Sequence, residues 1–325
     1  MWRGDFQNAK QLLHAIARRI DRKTGKPAAS PTGAFNHHRR AQSQRARTLS
    51  MLLLNFEDDY RIDLRRAPDV TQACIEAYGA AEGPFVASLR ELLGIIGAHQ
   101  WRKKGIDIPA AGGRIHPHYG VFAPVRTEYI KLVNDAPLPA TTLAFDIGVG
   151  TGVLAAVLAR RGVEKIIATD QDSRALTCAR ENFARLGFAD RVEVIEADLF
   201  PSGRAPLIVC NPPWVPARPS SPLEHAVYDP DSGMLRGFLD GLATHLEPNG
   251  EGWLLLSDLA EHLQLRTRAA LLSWIEIAGL AVKGRIDIRP THPRAADTSD
   301  PLYAARAAEV TSLWRLKSAD TASGQ

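Results

Sequence analysis

Between Leu143 and Leu316, short apolar runs alternate with longer amphipathic ones. This predicts an α/β fold in which a mainly parallel, seven-stranded sheet is covered by helices on both faces. A glycine-rich turn, Gly148-Val149-Gly150-Thr151-Gly152, joins the first of these strands directly to a helix. Ahead of Leu143 the apolar residues recur mostly at helical spacing, so a helical N-terminal region precedes the sheet. The chain of 325 residues exceeds a typical single domain. It is expected to divide into a basic leader with a helical region (1–110) and a sheet domain (111–325).

Ala9, Leu13, Ile16 and Ile20 predict a helix over about residues 6–22. From Thr24 to Arg47 apolar periodicity is lost and Lys, Arg, Pro, Gly and Gln accumulate, which reads as a flexible basic linker. Helical spacing returns with Leu49, Leu52, Leu53 and Phe56. Asp69 followed by Gln72 has the form of a capping box opening the helix that contains Ile75. After Gly83-Pro84, a further helix carries Val86, Leu89, Leu93 and Ile96. Gly112-Gly113, Pro117, Gly120 and Pro124 break regular structure before a short helix from Arg126 to Val133. Strands are expected at Leu143–Ile147, Lys165–Asp170, Val192–Glu196, Leu207–Asn211, Gly252–Ser257, Ala281–Ile288 and Val310–Leu316. The helices between them are expected at Gly152–Arg161, Ser173–Leu186, Met234–Leu246 and His262–Ile277. The last strand lacks a preceding helix of comparable length, so it is expected to pair antiparallel with its neighbour.

Composition bounds the function classes. A hydrophobic fraction of 45% with 23% charged residues is ordinary for a soluble protein. No apolar run approaches the roughly 18 residues of a membrane span, and the start lacks the apolar segment of a signal peptide. Cys74, Cys178 and Cys210 form no CxxC pair, which disfavours a disulfide framework or cysteine zinc site and fits a cytoplasmic setting. Cys178 and Cys210 sit on apolar faces and read as core. The net charge of +4 conceals an asymmetry: residues 1–50 hold 11 Lys and Arg against 2 Asp and Glu, and the remainder 29 against 34. A basic arm on a mildly acidic body suits a phosphate-rich partner; its bland reading is a solvated leader.

Gly148, Gly150 and Gly152 remove side chains where the backbone turns sharply beside a ligand. A dinucleotide fingerprint would place its third glycine at position 153, which is Val153, and no Gly-Lys-Ser/Thr phosphate loop occurs. A nucleoside without a phosphate chain is therefore favoured. Asp146 precedes the turn. Asp170 ends the second strand, where a carboxylate can accept from both ribose hydroxyls, and Asp198 follows the third, within reach of an adenine amino group. The commoner fate of any one such acid is a solvated loop; three at successive strand ends are harder to explain that way.

Asn211-Pro212-Pro213-Trp214 closes the fourth strand. The prolines fix the backbone, so the Asn211 side-chain oxygen and the Pro212 carbonyl can both accept from one NH2 group. An amide or aryl amine nitrogen is a poor nucleophile because its lone pair is delocalised, and such acceptors favour the tetrahedral geometry that attack requires. Trp214 offers a face for a planar target. This chemistry requires no metal and no covalent nucleophile.

Together, Asp146-x-Gly-x-Gly-x-Gly, Asp170, Asp198 and Asn211-Pro-Pro-Trp resemble the successive motifs of class I S-adenosylmethionine-dependent methyltransferases, over about residues 115–317. The resemblance implies a Rossmann-like fold and S-adenosylmethionine as cofactor. In that family the glycine turn holds the methionine moiety, the acid matching Asp170 binds the ribose, and that matching Asp198 reaches the adenine. The tip resembles that of the amino-methyltransferases, which act on adenine N6, guanine N2 or glutamine amides.

The acceptor is left between two classes. Phe122-Ala123-Pro124-Val125-Arg126-Thr127-Glu128 resembles a segment of the release-factor glutamine methyltransferases, although it is one residue shorter, lacks a second proline, and is followed by Trp214 where that family usually has tyrosine. Arg126 and Glu128 have an alternative reading as a structural ion pair. The competing acceptor is an RNA or DNA base, in rRNA or tRNA, with Arg39, Arg40, Arg45 and Arg47 on phosphates and Trp214 stacking an extruded base; the basic leader favours it. A non-catalytic module that kept the fold is the third class. His116 and His118 are minor substrate-contact candidates, and Tyr228–Gly233 reads as a polar loop capping the helix at Met234, with a lid as the alternative.

Overall fold

The computed structural model describes residues 4–22, 29–219, 224, 226–291 and 297–319. The chain divides into two units, Met1–Lys104 and Gly105–Gln325. No helix among the described residues is long and apolar enough to cross a membrane.

The first unit is built on α1 (Phe6–Asp21), α2 (Pro31–Leu49), β1 (Leu53–Phe56), α3 (Thr71–Tyr78), β2 (Phe85–Ser88) and α4 (Leu89–Lys104). Phe6, Ala9 and Leu13 bury the inner stripe of α1 against Leu49, Leu54, Phe56 and Leu92. Fully buried Asp5 caps that helix through Gln7 N and Asn8 N, and takes the Arg66 guanidinium on both oxygens at 2.7 and 2.8 Å. The cation beside it holds this carboxyl well below its usual range.

Three expectations are corrected in this unit. The basic stretch from 31 onward is a 19-residue helix, not a linker; residues 23–28 lie outside the described residues. Ser30 caps α2 through Gly33 N, and Pro31 sits in the first turn, where its missing N–H costs nothing. Apolar periodicity is thin because α2 buries only Phe35 and Leu49. Leu53–Phe56 is a strand with alternating burial, paired antiparallel with Phe85–Ser88, so Val86 is also in a strand. Gln72 does not complete a capping box: Asp69 accepts from Thr71 N while the Gln72 amide turns to Glu76.

The second unit starts with a small hairpin of β3 (Ile106–Ile108) and β4 (Gly113–Ile115), then α5 (Glu128–Asp135). The core elements follow in order: β5 (Leu143–Ile147), α6 (Val153–Arg160), β6 (Lys165–Asp170), α7 (Ser173–Leu186), β7 (Val192–Glu196), β8 (Ala205–Cys210), α8 (Gly233–His245) and β9 (Leu246–Ser257). After them come α9 (Leu259–His262), α10 (Arg268–Ile277), β10 (Leu280–Ile288), α11 (Tyr303–Ala308) and β11 (Thr311–Ser318). The seven strands lie in the order β10-β11-β9-β8-β5-β6-β7, parallel except for β11, which runs antiparallel to both neighbours. The helix expected over 262–277 begins only at Arg268, because the Thr267 hydroxyl accepts from Ala270 N and starts α10 there; α9 ends at His262.

Strand parity builds the two cores. Ala144, Leu207, Val209, Trp253 and Leu255 face one side with α5, α6 and part of α7. Phe145, Ile147, Ile208, Cys210, Leu254 and Leu256 face the other, with α8 and α10. Every residue from Val153 to Ala159 is buried, as an apolar-all-round helix must be.

At the antiparallel edge, Glu251 is 1% exposed and binds Arg315 through both oxygens (2.6 and 2.7 Å), Lys283 Nζ (2.7 Å) and Trp253 Nε1 (3.1 Å). These donors outweigh desolvation and pull its pKa from 4.5 to about 2. A depressed folded pKa contributes stability above the unfolded value that is lost as pH falls. Glu251→Gln is therefore expected to lower stability by about 3 kcal/mol at neutral pH, and the deficit measured by urea unfolding should shrink as pH falls from about 5 toward 2.

Candidate active site

Register assembles the site. Ile147 pairs with Thr169 on one side and Cys210 on the other, so the glycine turn, Asp170 and Asn211 emerge side by side at the carboxyl crest of the sheet. Gly148 N and Val149 N donate to Thr169 O at 2.9 and 2.8 Å, which pins the turn to β6. Gly148, Gly150 and Gly152 all have positive φ. A Cβ at Gly148 would meet Met234 Cε at 2.7 Å, and one at Gly152 would meet the Phe183 ring at 2.6 Å. At Gly150, φ +52°, a Cβ would meet nothing within 4 Å. Two glycines thus permit close packing, and the middle one borders open space.

The acids lie at different depths. Parity turns Asp146 inward, toward α6, where it is 1% exposed and accepts from Ala155 N at 3.0 Å. Burial, with the nearby Asp170 charge, raises its pKa from 3.8 to about 7 despite that hydrogen bond. Half-buried Asp170 accepts from Gly150 N through one oxygen and Asp172 N through the other, both at 3.0 Å. It therefore sets the shape of the glycine turn. Exposed Asp198 is hydrogen-bonded by the Gln171 amide. Asn182, fully buried, ties the preceding segment to the turn: it accepts from His116 N at 2.8 Å and donates to Thr151 O at 3.0 Å.

Sequence reading treated Asn211 and Trp214 as separate groups; the structure couples them. Trp214 Nε1 donates to Asn211 Oδ1 at 2.9 Å. An indole N–H only donates, so it fixes the oxygen end of the amide and leaves that oxygen a second acceptor position. Arg126 lies over one face of the Trp214 ring, 5.1 Å from its centroid, and Tyr129 meets it edge-on at 6.4 Å. The buried Glu309 accepts from Arg126 at 3.0 Å and from Ser257 Oγ at 2.7 Å, while Glu128 stands 3.5 Å from Arg126 Nε. The structural ion pair foreseen for Arg126 and Glu128 is thus present, and a planar target can meet only the opposite face or edge of Trp214. Pro212 is buried and Pro213 half-buried.

Asp229 accepts from Met234 N and Leu235 N, so the 228–233 loop caps α8, while Asp229 N bonds Val215 O beside the tip. His118, a minor substrate-contact candidate in the sequence, has a partner acid, Glu181, at 3.1 Å across 63 residues. Cys178 and Cys210 are buried. Among the described residues no group of three or more His, Cys, Asp or Glu is placed to hold a metal.

Residues 114–265 match the family model described as Methyltransferase small domain. The chain is an S-adenosylmethionine-dependent methyltransferase. It is 28% identical over 185 residues to the tRNA1(Val) (adenine(37)-N6)-methyltransferase of Shewanella amazonensis, covering 54% of this chain and 76% of that one. It is 34% identical over 195 residues to the release factor glutamine methyltransferase of Cereibacter sphaeroides, covering 56% and 65%. The residues present fit the methyltransferase cofactor: an open cradle over Gly150, a carboxylate at Asp170 and an exposed one at Asp198 flank the crest.

Asp146 yields a pH prediction. Between 3.8 and about 7 the native methyltransferase binds a proton here that the unfolded chain has lost, so stability falls as pH rises through that window. Asp146→Asn keeps an acceptor for Ala155 N and removes the titration. Chemical unfolding from pH 4 to 8 should show the variant losing less stability than the parent as pH rises.

Proposed function

We propose that this methyltransferase transfers a methyl group to an exocyclic amino nitrogen of a nucleic-acid base, held at the Asn211–Pro212 corner. S-adenosylmethionine supplies the electrophilic sulfonium methyl. Every other contribution in this reading belongs to the protein. The glycine turn and Asp170 hold the methionine and ribose portions, and Asp198 takes the adenine side. Asp146 and Asn182 act from beneath, shaping the turn. Asn211 Oδ1, oriented by the Trp214 N–H, and the Pro212 carbonyl accept the two amino hydrogens and direct the nitrogen lone pair at the methyl. The carrying observation is the register that brings Asn211 beside Gly148 on one crest.

Charge favours a nucleic acid over a glutamine amide. The N-terminal basic residues sit on two folded helices: Arg45 joins α2 to α1 through both oxygens of Asp21, whereas Arg18, Arg19, Arg40 and Arg47 are exposed. An adenine-N6 acceptor also agrees with the Shewanella amazonensis relative's name. The glutamine reading rests on the Phe122–Glu128 segment and the Cereibacter sphaeroides relative.

Tritiated-methyl transfer into lysate of a deletion strain, followed by nuclease or protease digestion, separates the two. Nuclease-sensitive label is expected; protease-sensitive label would transfer the role to glutamine. Asn211→Ala is expected to lower transfer by about a hundredfold while S-adenosylhomocysteine affinity, by calorimetry, stays within about twofold of the parent. Replacing Arg18, Arg19, Arg40 and Arg47 with Gln should weaken RNA binding and flatten its salt dependence by about 0.7–0.9 in log–log slope for each phosphate that is no longer neutralised. An unchanged slope would remove these helices from the acceptor interface.

A further inference from the structure

Arg266, in the loop between α9 and α10, is 6% exposed, and its Nε and Nη2 are buried without a hydrogen-bond partner. Those two donors form one edge of the guanidinium, the edge that binds an oxoanion through two parallel hydrogen bonds. The other buried charged groups with an unsatisfied atom stand in ion pairs: Arg126 with Glu128 and Glu309, His262 with Asp258, and Arg306 with Asp300. Arg266 has no ion pair among the described residues. The carboxylates near enough to act on its charge are Glu261 and Asp229. Both are engaged elsewhere. Glu261 binds Arg268 Nε through its two oxygens, at 2.7 and 3.0 Å, and Asp229 caps α8. A buried cation whose neighbours are already satisfied is a standing cost to the fold, and such a cost is retained where a ligand removes it.

Its position indicates which ligand. β9 runs parallel to β8, with Leu254 beside Cys210, so the turn after β9 rises from the same crest as the Asn211 tip. Arg266 N bonds Ala260 O at 3.3 Å and Leu265 N bonds it at 2.8 Å, folding this loop back onto α9. Asp229, one of the two carboxylates acting on Arg266, is bonded through its own N to Val215 O, next to Trp214. Arg266 therefore sits in the loop that follows β9 and α9, and β9 is the strand beside the one that leads into Asn211.

We propose that Arg266 is the docking residue for a backbone phosphate of the nucleotide whose base enters the Asn211 corner. The proposal rests on the nucleic-acid reading above. The phosphate supplies the two acceptors that the Nε–Nη2 edge lacks, and docking includes displacing whatever covers that edge. A positioning role for Arg266 in the fold alone predicts the opposite response to its removal, because taking away one partner of a buried pair destabilises whereas taking away an unpaired buried charge does not.

The test uses the full chain saturated with S-adenosylhomocysteine, titrated calorimetrically with adenosine and with adenosine 5′-monophosphate, for the parent and for Arg266→Met. The parent is expected to bind the monophosphate about tenfold more tightly than the nucleoside, and Arg266→Met to bring the two affinities together. The unfolding temperature of ligand-free Arg266→Met should equal or exceed the parent's. Arg266→Lys keeps the charge without the paired donors and should recover only part of the preference. Equal parental affinities, a preference that survives Arg266→Met, or a fall in its unfolding temperature overturns the proposal while leaving the base reading in place. Binding of a glutamine peptide with neither nucleoside bound overturns the base reading and this proposal together.

Discussion

The site depends on how the central strand is paired. β5 contributes few residues, yet its last, Ile147, is held in register on both sides, by Thr169 and by Cys210. A slip of one residue would reverse every side chain along the strand, burying the wrong set against each helix layer. It would also carry the glycine turn out of line with Asp170 and Asn211. The hydrogen bonds from Gly148 N and Val149 N to Thr169 O continue that registration beyond the strand ends, so the crest is shaped by backbone geometry before any catalytic side chain is considered.

Two carboxylates divide the work at this crest. Asp146 lies on the α6 face, fully buried, where it satisfies an amide at the start of a helix that is apolar from Val153 to Ala159. Asp170 is half-buried and accepts from two backbone amides. Burial raises the first acid's pKa, and the second acid's charge adds to that effect. The tip has a comparable arrangement. Asn211 is oriented by Trp214, over whose ring Arg126 lies, with Glu309 accepting from Arg126; the chain of interactions thus runs from the loop after β8 to the start of β11. Residues far apart in sequence converge here because the antiparallel β11 brings its flanking segment back to the crest.

Much of this was legible in the sequence. Leu143–Ile147, Lys165–Asp170, Val192–Glu196 and Ser173–Leu186 fall where apolar runs and caps place them, since buried parallel strands and a well-capped helix carry strong local signals. The glycine turn and the Asn211 tip were legible for the same reason: their chemistry is contiguous. What escaped was long-range or thinly apolar. α2 buries two residues and reads as a linker unless Ser30-Pro31 is recognised as its start. Leu53–Phe56 is too short for period 2 to be told from period 3.6. The Thr267 cap that delays α10 to Arg268 was masked by Leu263 and Leu265, whose apolar side chains extend the pattern upstream of it. The Trp214–Asn211 bond, the Glu181 partner of His118 and the unpaired guanidinium of Arg266 are properties of the folded chain, and no local pattern announces them.

The central claim is that the open space over Gly150 receives the cofactor. Calorimetric titration of Gly150→Ala with S-adenosylhomocysteine addresses it directly, because the added methyl meets nothing within 4 Å in the protein itself. A non-glycine residue at positive φ costs about 1 kcal/mol, equivalent to an unfolding temperature lower by roughly 2–4 °C without ligand. Against that small loss, affinity for S-adenosylhomocysteine is expected to fall by about tenfold or more, as a methyl occupying ligand space demands. Parental affinity in a folded Gly150→Ala protein would contradict the account.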